Sequence, residues 1–188
     1  MSITRKEQIK NCAARLFRKR GFTATSVRDI ASEMEMEAPS LYNHVKGKQE
    51  ILQELLLEVA DEFTLGMRSI SQAKIPAKSI LERLIKLHVD LTIENPDVMA
   101  LLTSDWIHLE EPAFSQFVDL RDNYEKEFRT VLKTALADSG STVEYLDMIL
   151  FSILSTLRWL YSWYLKNKSV NPIELEQQMT KNLLEGIF

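Results

Sequence analysis

Apolar residues recur three and four positions apart along most of the chain, which is the spacing of one face of an α-helix. In the N-terminal quarter this spacing predicts a helix over residues 4–20, a short helix that Ser26 caps, and another that begins near Ala38. Glu35 lies in the turn between the two short helices. A fourth helix is predicted to begin at Lys48. Its apolar stripe consists of Ile51, Leu52, Leu55, Val59 and Phe63.

The same spacing continues to the end of the chain, where proline and glycine mark helix boundaries. The predicted helices cover approximately residues 76–94, 96–108, 111–139, 142–166 and 173–187. Runs of alternating β-branched residues, which would indicate strands, are absent from the sequence. We therefore predict an all-α chain with a three-helix N-terminal domain over residues 1–48 and a helical C-terminal domain over residues 49–188.

The polar positions of the short helix near Ala38 suggest what the N-terminal domain binds. Leu41 and Val45 are four residues apart and give this helix an inward face. The positions left on its other sides are Ser40, Tyr42, Asn43 and His44. These side chains suit phosphates and base edges better than a core. Two short helices joined by a tight turn, the second presenting such groups, describe a helix-turn-helix.

The stretch from Thr25 to Lys48, TSVRDIASEMEMEAPSLYNHVKGK, resembles the DNA-binding domain of the TetR family of bacterial repressors. The resemblance runs from about Arg5 to Leu55, and its most specific part is the segment LYNHVKGK. It implies a ligand-responsive regulator that binds a palindromic operator in double-stranded DNA as a homodimer. Glu35 stands where the family often has glycine, so it must adopt the geometry of the turn at a slight energetic cost.

The same resemblance assigns DNA-binding roles to residues of this domain. Those expected on phosphates are Ser26, Tyr42, His44 and Lys48. Those expected near base edges are Arg28, Ala38, Pro39, Ser40 and Asn43. At Ala38 the contact with a base can only be apolar, for example with a thymine methyl group.

Charge is distributed unevenly along the chain. The net charge is −4, yet residues 1–50 hold ten Lys and Arg against six Asp and Glu, a balance of +4. Residues 51–188 hold thirteen against twenty-one, a balance of −8. A basic N-terminal domain on an acidic remainder is typical of a protein that touches DNA with one end, although a merely solvated charge pattern is the alternative. The single cysteine, Cys12, and the polar N-terminus predict a cytoplasmic protein.

Motifs of enzymes and metal sites are absent from the sequence. It has no glycine-rich phosphate loop and no G-x-S-x-G or H-E-x-x-H motif, and the three histidines lack metal-ligand spacing. We therefore predict no catalytic residue, cofactor or metal, and we expect His88 and His108 to cap helices or line a pocket. Two alternatives to a regulator stay open: a helical small-molecule-binding protein or enzyme without a DNA-regulatory role, and an adaptor whose N-terminal domain binds protein.

Candidate effector contacts lie in the C-terminal domain. Arg121 interrupts the apolar seam of the seventh predicted helix, where it either pairs with an acidic residue or anchors an anionic ligand. Arg158 presents the same alternatives. The candidate ligand-binding residues are Trp106, Arg121, Tyr124, Arg158 and Trp159, whose aromatic members could equally fill a core or an interface. The segments RWLYSWYL and NPIELEQQMTKNLLEGIF loosely resemble the C-terminal part of acyl-CoA-responsive members of the family, which implies a small amphipathic effector with an acyl-CoA as the leading candidate. A neutral or cationic drug-like effector is the alternative, because the acidic residues Asp105, Glu110 and Asp119 lie near the sixth and seventh predicted helices.

The segment Met148–Leu165 is nearly free of charge and requires an explanation. Arg158 and several hydroxyl side chains make it costly as a membrane span, so we predict no membrane association and expect burial in a core or a subunit interface. The family resemblance implies a homodimer through the last two helices. Their apolar residues available for such pairing are Leu150, Leu154, Leu157, Tyr161, Leu175, Met179 and Leu183.

Overall fold

The computed structural model describes residues 3–140, 144–185 and 187, and all regular structure in this part of the chain is helical, as predicted. The elements are α1 (Arg5–Arg20), α2 (Val27–Glu33), α3 (Ala38–Leu41), α4 (Lys48–Ser71), α5 (Ala77–Glu94), α6 (Pro96–Ser104), a 3₁₀ helix (Trp106–His108), α7 (Ala113–Ser139), α8 (Leu146–Tyr164) and α9 (Pro172–Leu184).

Several predicted boundaries need correction. The sixth helix was expected to run to His108, but α6 ends at Ser104 and a separate 3₁₀ turn follows. The side chain of Asp105 explains the break, because it accepts hydrogen bonds from Ser104 Oγ and from the Phe22 amide. The last helix ends at Leu184, three residues earlier than predicted. The predicted start of the eighth helix at Thr142 lies outside the described residues.

Two compact units divide the chain. Unit 1 comprises the described residues up to Ala60 together with Asp97–Val118. Unit 2 comprises Asp61–Pro96 and the described residues from Asp119 onward. Two of the boundaries between these units fall inside helices, after Ala60 in α4 and after Val118 in α7. The predicted division after residue 48 concerns functional domains and stays a prediction.

The N-terminal helices of unit 1 close over a core of large apolar side chains. Those fully enclosed in it include Ile9, Phe17, Ile30, Leu41, Ile51, Leu52 and Leu56. Lys10 of α1 is buried beside this core, and its ammonium group hydrogen-bonds Glu7 and Glu58. Burial alone would lower the pKa of Lys10, but these two carboxylates outweigh it and raise the pKa. The buried charge is therefore paired, and the pair joins α1 to α4.

In unit 2, α5 packs against α8 and α9. Val89, Leu160 and Leu175, one from each helix, meet in a buried cluster. On another side of α5, Gly66 of α4 lies so close to Leu87 that a Cβ atom at position 66 would be 2.5 Å from Leu87 Cδ2. Glycine thus permits the close approach of α4 and α5 within this unit. No helix among the described residues is long and apolar enough to span a membrane.

Candidate nucleic-acid interface and effector site

Ser26 and Asp29 fix the start of α2. The Asp29 amide donates to Ser26 Oγ at 3.2 Å, and the Ser26 amide donates to Asp29 Oδ2 at 2.7 Å. This reciprocal pair is a capping box, and it confirms Ser26 as the predicted N-cap. The hydrogen bond from the Ser26 hydroxyl also lowers the pKa of Asp29.

Glu35 ends α2 in the left-handed conformation, with φ of 53°. Its amide donates to the Ser32 carbonyl at 3.1 Å, and the Met36 amide donates to the Ala31 carbonyl at 2.9 Å. These two bonds form the helix-ending motif that usually has glycine at this position. The prediction that Glu35 must tolerate the turn is confirmed, at a conformational cost of about 1 kcal/mol relative to glycine.

The predicted DNA-binding side chains are mostly solvent-exposed. Leu41 and Val45 anchor the α3 region in the core, as their spacing predicted. The exposed members of the predicted set are Ser26, Arg28, Pro39, Ser40, Tyr42, Asn43 and His44. Tyr42 keeps 56% of its surface exposed, so its ring and hydroxyl group are accessible to a partner. Ala38 and Lys48 are half-buried.

Four of the nine predicted residues surround one recess. The recess has a volume of about 490 Å³ and is lined by residues 23–28 with Tyr42 and Lys48. Ser26, Arg28, Tyr42 and Lys48 are thereby brought together, whereas Ala38, Pro39, Ser40, Asn43 and His44 are not among its lining residues. The recess is lined by the ammonium group of Lys48, the guanidinium group of Arg28 and hydroxyl groups that include those of Ser26 and Tyr42. Groups of these kinds bind phosphate oxygens.

Lys48 has a structural role that the sequence did not indicate. Its Nζ donates to the carbonyl oxygens of Phe22 at 3.0 Å, Thr23 at 3.3 Å and Thr25 at 3.0 Å. It also lies 4.4 Å from the centre of the Phe22 ring. An ammonium group has three donors, and all three are directed at the loop between α1 and α2. A direct bond from Lys48 to a phosphate, which stays a prediction, would replace one of these bonds.

Residues 97–109 attach to the same loop. Asp105 Oδ1 accepts from the Phe22 amide at 3.3 Å, and the His108 ring stacks on the Phe22 ring with centroids 5.4 Å apart. Gln49 Nε2 donates to the His108 carbonyl at 2.9 Å. Sequence reasoning missed Asp105 in this role, and its only signal was an acidic residue directly after an apolar helix. The expectation that His108 caps a helix or lines a pocket stays a prediction beside this stacking contact.

The basic side of α1 is largely neutralised by ion pairs. Arg18 pairs with Asp97, and Arg15 Nη2 lies 2.9 Å from Glu33 Oε1. These carboxylates lower the net positive charge beside α1, so the excess of positive charge in the first fifty residues overstates the charge available to DNA.

The candidate effector residues occupy different environments. Trp106 belongs to unit 1, where it stacks on Phe114 and Phe117 with centroids 5.8 and 6.1 Å away. The other four belong to unit 2. Of these, Tyr124 is buried, Arg121 is half-buried, and Arg158 and Trp159 are exposed.

Both arginines have acidic neighbours. Arg158 of α8 pairs with Glu125 of α7, which is the interhelical ion pair considered as an alternative. Arg121 Nη2 lies 2.9 Å from Asp122 Oδ1, within α7. Trp159 stacks on Tyr161 with centroids 5.9 Å apart. The ligand-binding roles of these side chains stay predictions.

Tyr124 forms a buried polar pair with His88. The Tyr124 hydroxyl lies 2.9 Å from His88 Nε2, and the Phe63 ring lies 4.6 Å from the His88 ring. Burial, with a smaller contribution from the positive charge of Arg158, lowers the pKa of His88 to about 3. Burial also raises the pKa of Tyr124. Both side chains are therefore neutral at physiological pH.

Two family models match the chain. A model described as the tetracyclin repressor-like C-terminal domain matches residues 75–187, more than half of the chain. A model of bacterial regulatory proteins of the tetR family matches residues 10–55. The chain belongs to the TetR family.

Full-length relatives agree with this membership. The HTH-type transcriptional repressor KstR2 of Rhodococcus jostii (strain RHA1) is 26% identical over 186 residues, which cover 97% of this chain and 91% of the relative. KstR2 of Mycolicibacterium smegmatis is 27% identical over 98% of this chain and 91% of its own length. The solved structure of the ketosteroid transcriptional regulator KstR2 of Mycobacterium tuberculosis has the same fold, with a TM-score of 0.89 over 99% of this chain and 96% of that one, at 24% identity.

This TetR-family chain is a helix-turn-helix transcriptional regulator that binds DNA and responds to a ligand. TetR-family regulators bind DNA operators as dimers. The relatives are transcriptional repressors, so the prediction that the chain is not an enzyme is confirmed. Among the residues that the structure describes, no cluster of His, Cys, Asp and Glu could hold a metal ion.

We predict that His88 makes the stability of unit 2 dependent on pH. The folded pKa is about 3 and the ordinary value is 6.5, so the unfolded chain binds more protons between these limits. Stability contributed in this way is complete above pH 6.5 and falls as the pH decreases toward 3, by up to about 1.4 kcal/mol per pH unit. Urea unfolding of wild type and His88→Gln between pH 5 and 7 measures this slope.

The replacement should flatten the slope in that window, whatever its effect on stability at pH 7. His44→Gln changes an exposed histidine and is the matched control, which should keep the wild-type slope. Equal slopes in the wild type and His88→Gln would contradict the burial argument.

Proposed function

We propose that the chain is a cytoplasmic, homodimeric repressor that binds a palindromic operator through residues of α2, α3 and the start of α4. The observation that supports this interface best is the recess near Ser26, because the side chains of Lys48, Arg28, Ser26 and Tyr42 all line it. The exposed residues of the α3 region, from Pro39 to His44, extend the same chemistry. Phosphate contacts would fix the position of the N-terminal domain on DNA, and base contacts would select the DNA sequence.

A small-molecule-binding protein, an enzyme or an adaptor without a DNA-regulatory role would not bind DNA specifically. Electrophoretic titration of the purified protein against DNA flanking its own coding region, at several salt concentrations, tests the proposal directly. Binding that is specific and weakens with salt supports it. No binding to any duplex would favour a small-molecule-binding protein or an adaptor.

We predict that Lys48→Ala weakens binding to operator and scrambled DNA alike. The replacement removes one positive charge at the recess and leaves three loop carbonyls without their donor. The attraction to phosphates should therefore weaken, and the loop between α1 and α2 should be held less firmly. If Lys48 neutralises one phosphate, the slope of log K against log salt should flatten by about 0.9. Fluorescence anisotropy over a salt series measures both quantities.

Lys74→Ala removes an exposed lysine of unit 2 and is the matched control, with affinity and slope expected at wild-type values. Arg28→Ala should behave differently from Lys48→Ala, because loss of a base contact reduces the preference for operator over scrambled DNA. Unchanged affinity and slope in Lys48→Ala would remove this residue from the interface.

An exposed apolar face on α8 supports dimerisation through the last two helices. Phe151 is 71% exposed and Trp159 is 59% exposed, an unusual degree for such large side chains. Two further residues of α8, Met148 and Trp163, are exposed as well, and so is Ile173 of α9. We name these five residues the α8–α9 face. An apolar surface of this kind on a chain whose operator is palindromic favours a second copy as the partner, since a two-fold interface uses the same patch twice.

The face differs from the set expected from sequence. Leu154, Leu157 and Leu175 were candidates for pairing between chains, but they are buried within one chain, and α5 covers this side of α8 and α9. Trp159 and Trp163 also line a groove of about 590 Å³ between α8 and α9. Leu150, Tyr161, Met179 and Leu183 of that set are half-buried and stay candidates beside the α8–α9 face.

Phe151→Glu should produce monomers that bind operator DNA weakly. A buried charge without a partner opposes association, and two recognition helices must be held roughly 34–36 Å apart for tight binding. Sedimentation velocity at micromolar concentration, followed by DNA titration, measures both effects. Leu65→Glu alters a similarly exposed residue of α4 and is the control. A monomeric wild type, or a dimeric Phe151→Glu, would contradict the proposed interface.

The proposed effector is an amphipathic molecule with a long apolar part and an anionic end, with an acyl-CoA as the leading candidate. The apolar core of unit 2 suits the first part, and Arg121 and Arg158 are cations that suit the second. The M. tuberculosis relative is described as a ketosteroid regulator, which supports a large apolar effector here. The effector would act by favouring one arrangement of the dimer, and a hundredfold difference in affinity between the two arrangements, roughly 2.7 kcal/mol, would suffice.

We expect acyl-CoAs to raise the melting temperature more than cationic dyes do. In Arg158→Ala the stabilisation by an acyl-CoA should fall, because an anionic group loses its charged partner. Lys168→Ala, at an exposed loop lysine, is the control. Differential scanning fluorimetry of the wild type, Arg121→Ala, Arg158→Ala and Lys168→Ala against acyl-CoAs, free fatty acids and cationic dyes measures this. Stabilisation by cations alone, or full acyl-CoA stabilisation in both Arg121→Ala and Arg158→Ala, would contradict the anionic anchor.

A further inference from the structure

Asp105 is a buried carboxylate whose two oxygen atoms are both bonded. It is 8% exposed, its Oδ1 accepts from the Phe22 amide at 3.3 Å, and its Oδ2 accepts from Ser104 Oγ at 2.7 Å. A carboxylate loses its hydration on burial, at a cost in free energy that hydrogen bonds from the protein offset. Ser104 directly precedes Asp105, whereas Phe22 lies 83 residues away along the chain. The bond to Phe22 therefore joins Asp105 to a distant part of unit 1.

The Phe22 amide depends on Asp105 for its acceptor. The last bond of α1 reaches Gly21, whose amide donates to the Phe17 carbonyl at 2.7 Å. The Phe22 amide comes next, and among the described residues no backbone carbonyl accepts from it. Phe22 is 5% exposed, so little of the residue contacts solvent. Loss of Asp105 Oδ1 would leave a buried donor without an acceptor, which folded proteins seldom tolerate.

This bond holds the loop that leads to the recess. Residues 23–28, which line the recess, begin directly after Phe22. The Lys48 ammonium group holds the same stretch by its carbonyl groups, at 3.0 Å from the oxygen of Phe22 and 3.0 Å from that of Thr25. Asp105 binds the loop by an amide and Lys48 binds it by carbonyls, so the two charged groups fix the loop through different backbone atoms.

Asp105 is not placed to bind DNA itself. It is not among the residues that line the recess, and a carboxylate repels a phosphate group. Its direct electrostatic effect on DNA binding is therefore unfavourable, whereas its hydrogen bond to Phe22 would be favourable. Because the two effects have opposite signs, replacements of Asp105 can separate them.

We propose that Asp105 is a positioning residue for DNA binding, which acts through the Phe22 amide on the loop that lines the recess. This role rests on the proposed function, because the recess is a phosphate site only there. A loop that is already held in its bound position loses less conformational freedom when DNA binds, so the bond raises affinity without a contact to DNA. The residue that confers this order lies outside the helix-turn-helix.

Two replacements of Asp105 in the full-length protein test this role. Asp105→Asn keeps an oxygen that accepts from the Phe22 amide and an amino group that donates to Ser104 Oγ, but it removes the negative charge. Asp105→Ala removes the charge and the acceptor. Fluorescence anisotropy should show operator DNA bound about tenfold more weakly by Asp105→Ala, because the buried amide is left unsatisfied. Asp105→Asn should match the wild type or bind more tightly, and both variants should keep the wild-type salt slope, since no phosphate contact is lost.

Hydrogen exchange of the Phe22 amide, followed by NMR, reports the bond directly. Exchange should be slow in the wild type and in Asp105→Asn and faster in Asp105→Ala, and this holds without DNA. Urea unfolding of each variant shows whether it is folded at the assay temperature. Asp97→Ala is the matched control, because Asp97 is another acidic residue of unit 1 but pairs with Arg18 of α1. It should keep slow exchange at Phe22 and should not weaken DNA binding.

Four results would overturn this role: unchanged or tighter DNA binding by Asp105→Ala, equal weakening in Asp105→Ala and Asp105→Asn, equal weakening in Asp97→Ala, or fast exchange of the Phe22 amide in the wild type. The last result is decisive even if Asp105→Ala does not fold. Titration of the wild type with operator DNA is a separate measurement. Absence of wild-type binding would reject the proposed function, whereas intact wild-type binding with any of the four results rejects only the role of Asp105.

Discussion

The geometry of unit 1 depends on how the loop between α1 and α2 is held at Phe22. The Phe22 amide donates to Asp105, its carbonyl accepts from Lys48, and its ring lies against Phe17, His108 and the Lys48 ammonium group. A short loop offers several backbone groups that must be satisfied when they are buried. Here two side chains from distant parts of the sequence provide those partners, and α2 begins only five residues later. The position of the residues predicted to bind DNA therefore depends on contacts that lie outside the helix-turn-helix itself.

Residues 97–118 belong to one part of the chain by sequence and to another by packing. By sequence they lie within the match to the family's C-terminal domain, and by packing they belong to the unit that carries α1, α2 and α3. A change in the conformation of this segment would act directly on Asp105 and His108, and so on the loop at Phe22.

Local rules predicted the helix-turn-helix, whereas the partners of long side chains needed the structure. The cap at Ser26, the strained turn at Glu35 and the inward pair Leu41 and Val45 all follow from neighbours within a few residues, which a sequence displays. Periodicity also predicted that α8 is apolar. It could not tell which side of α8 meets α5, because leucine and tryptophan positions surround the helix, and the leucines rather than the tryptophans proved to be buried.

The candidate effector residues also had partners that the sequence did not reveal. Arg121 and Arg158 stood out from sequence because charge on an apolar seam is visible, but their pairing with Asp122 and Glu125 was not. The bond between Tyr124 and His88 was less conspicuous, since a histidine within an amphipathic helix is unremarkable until its burial is known. Burial is a property of the folded chain, so this buried polar pair could only be recognised from coordinates.

The division of the chain into interleaved units has a consequence for synthesis. The residues that complete unit 1 begin at Asp97 and end at Val118, after the first segment of unit 2 has already been made. At 5–20 residues per second, roughly 3–12 s separate the emergence of Ala60 from that of Val118. During this interval the nascent helix-turn-helix lacks the carboxylate of Asp105 and the ring of His108, so Phe22 has neither its acceptor nor its stacking partner. The part of the chain made first is thus among the last to acquire its complete set of contacts, and a fragment that ends after α4 would remain in that incomplete condition.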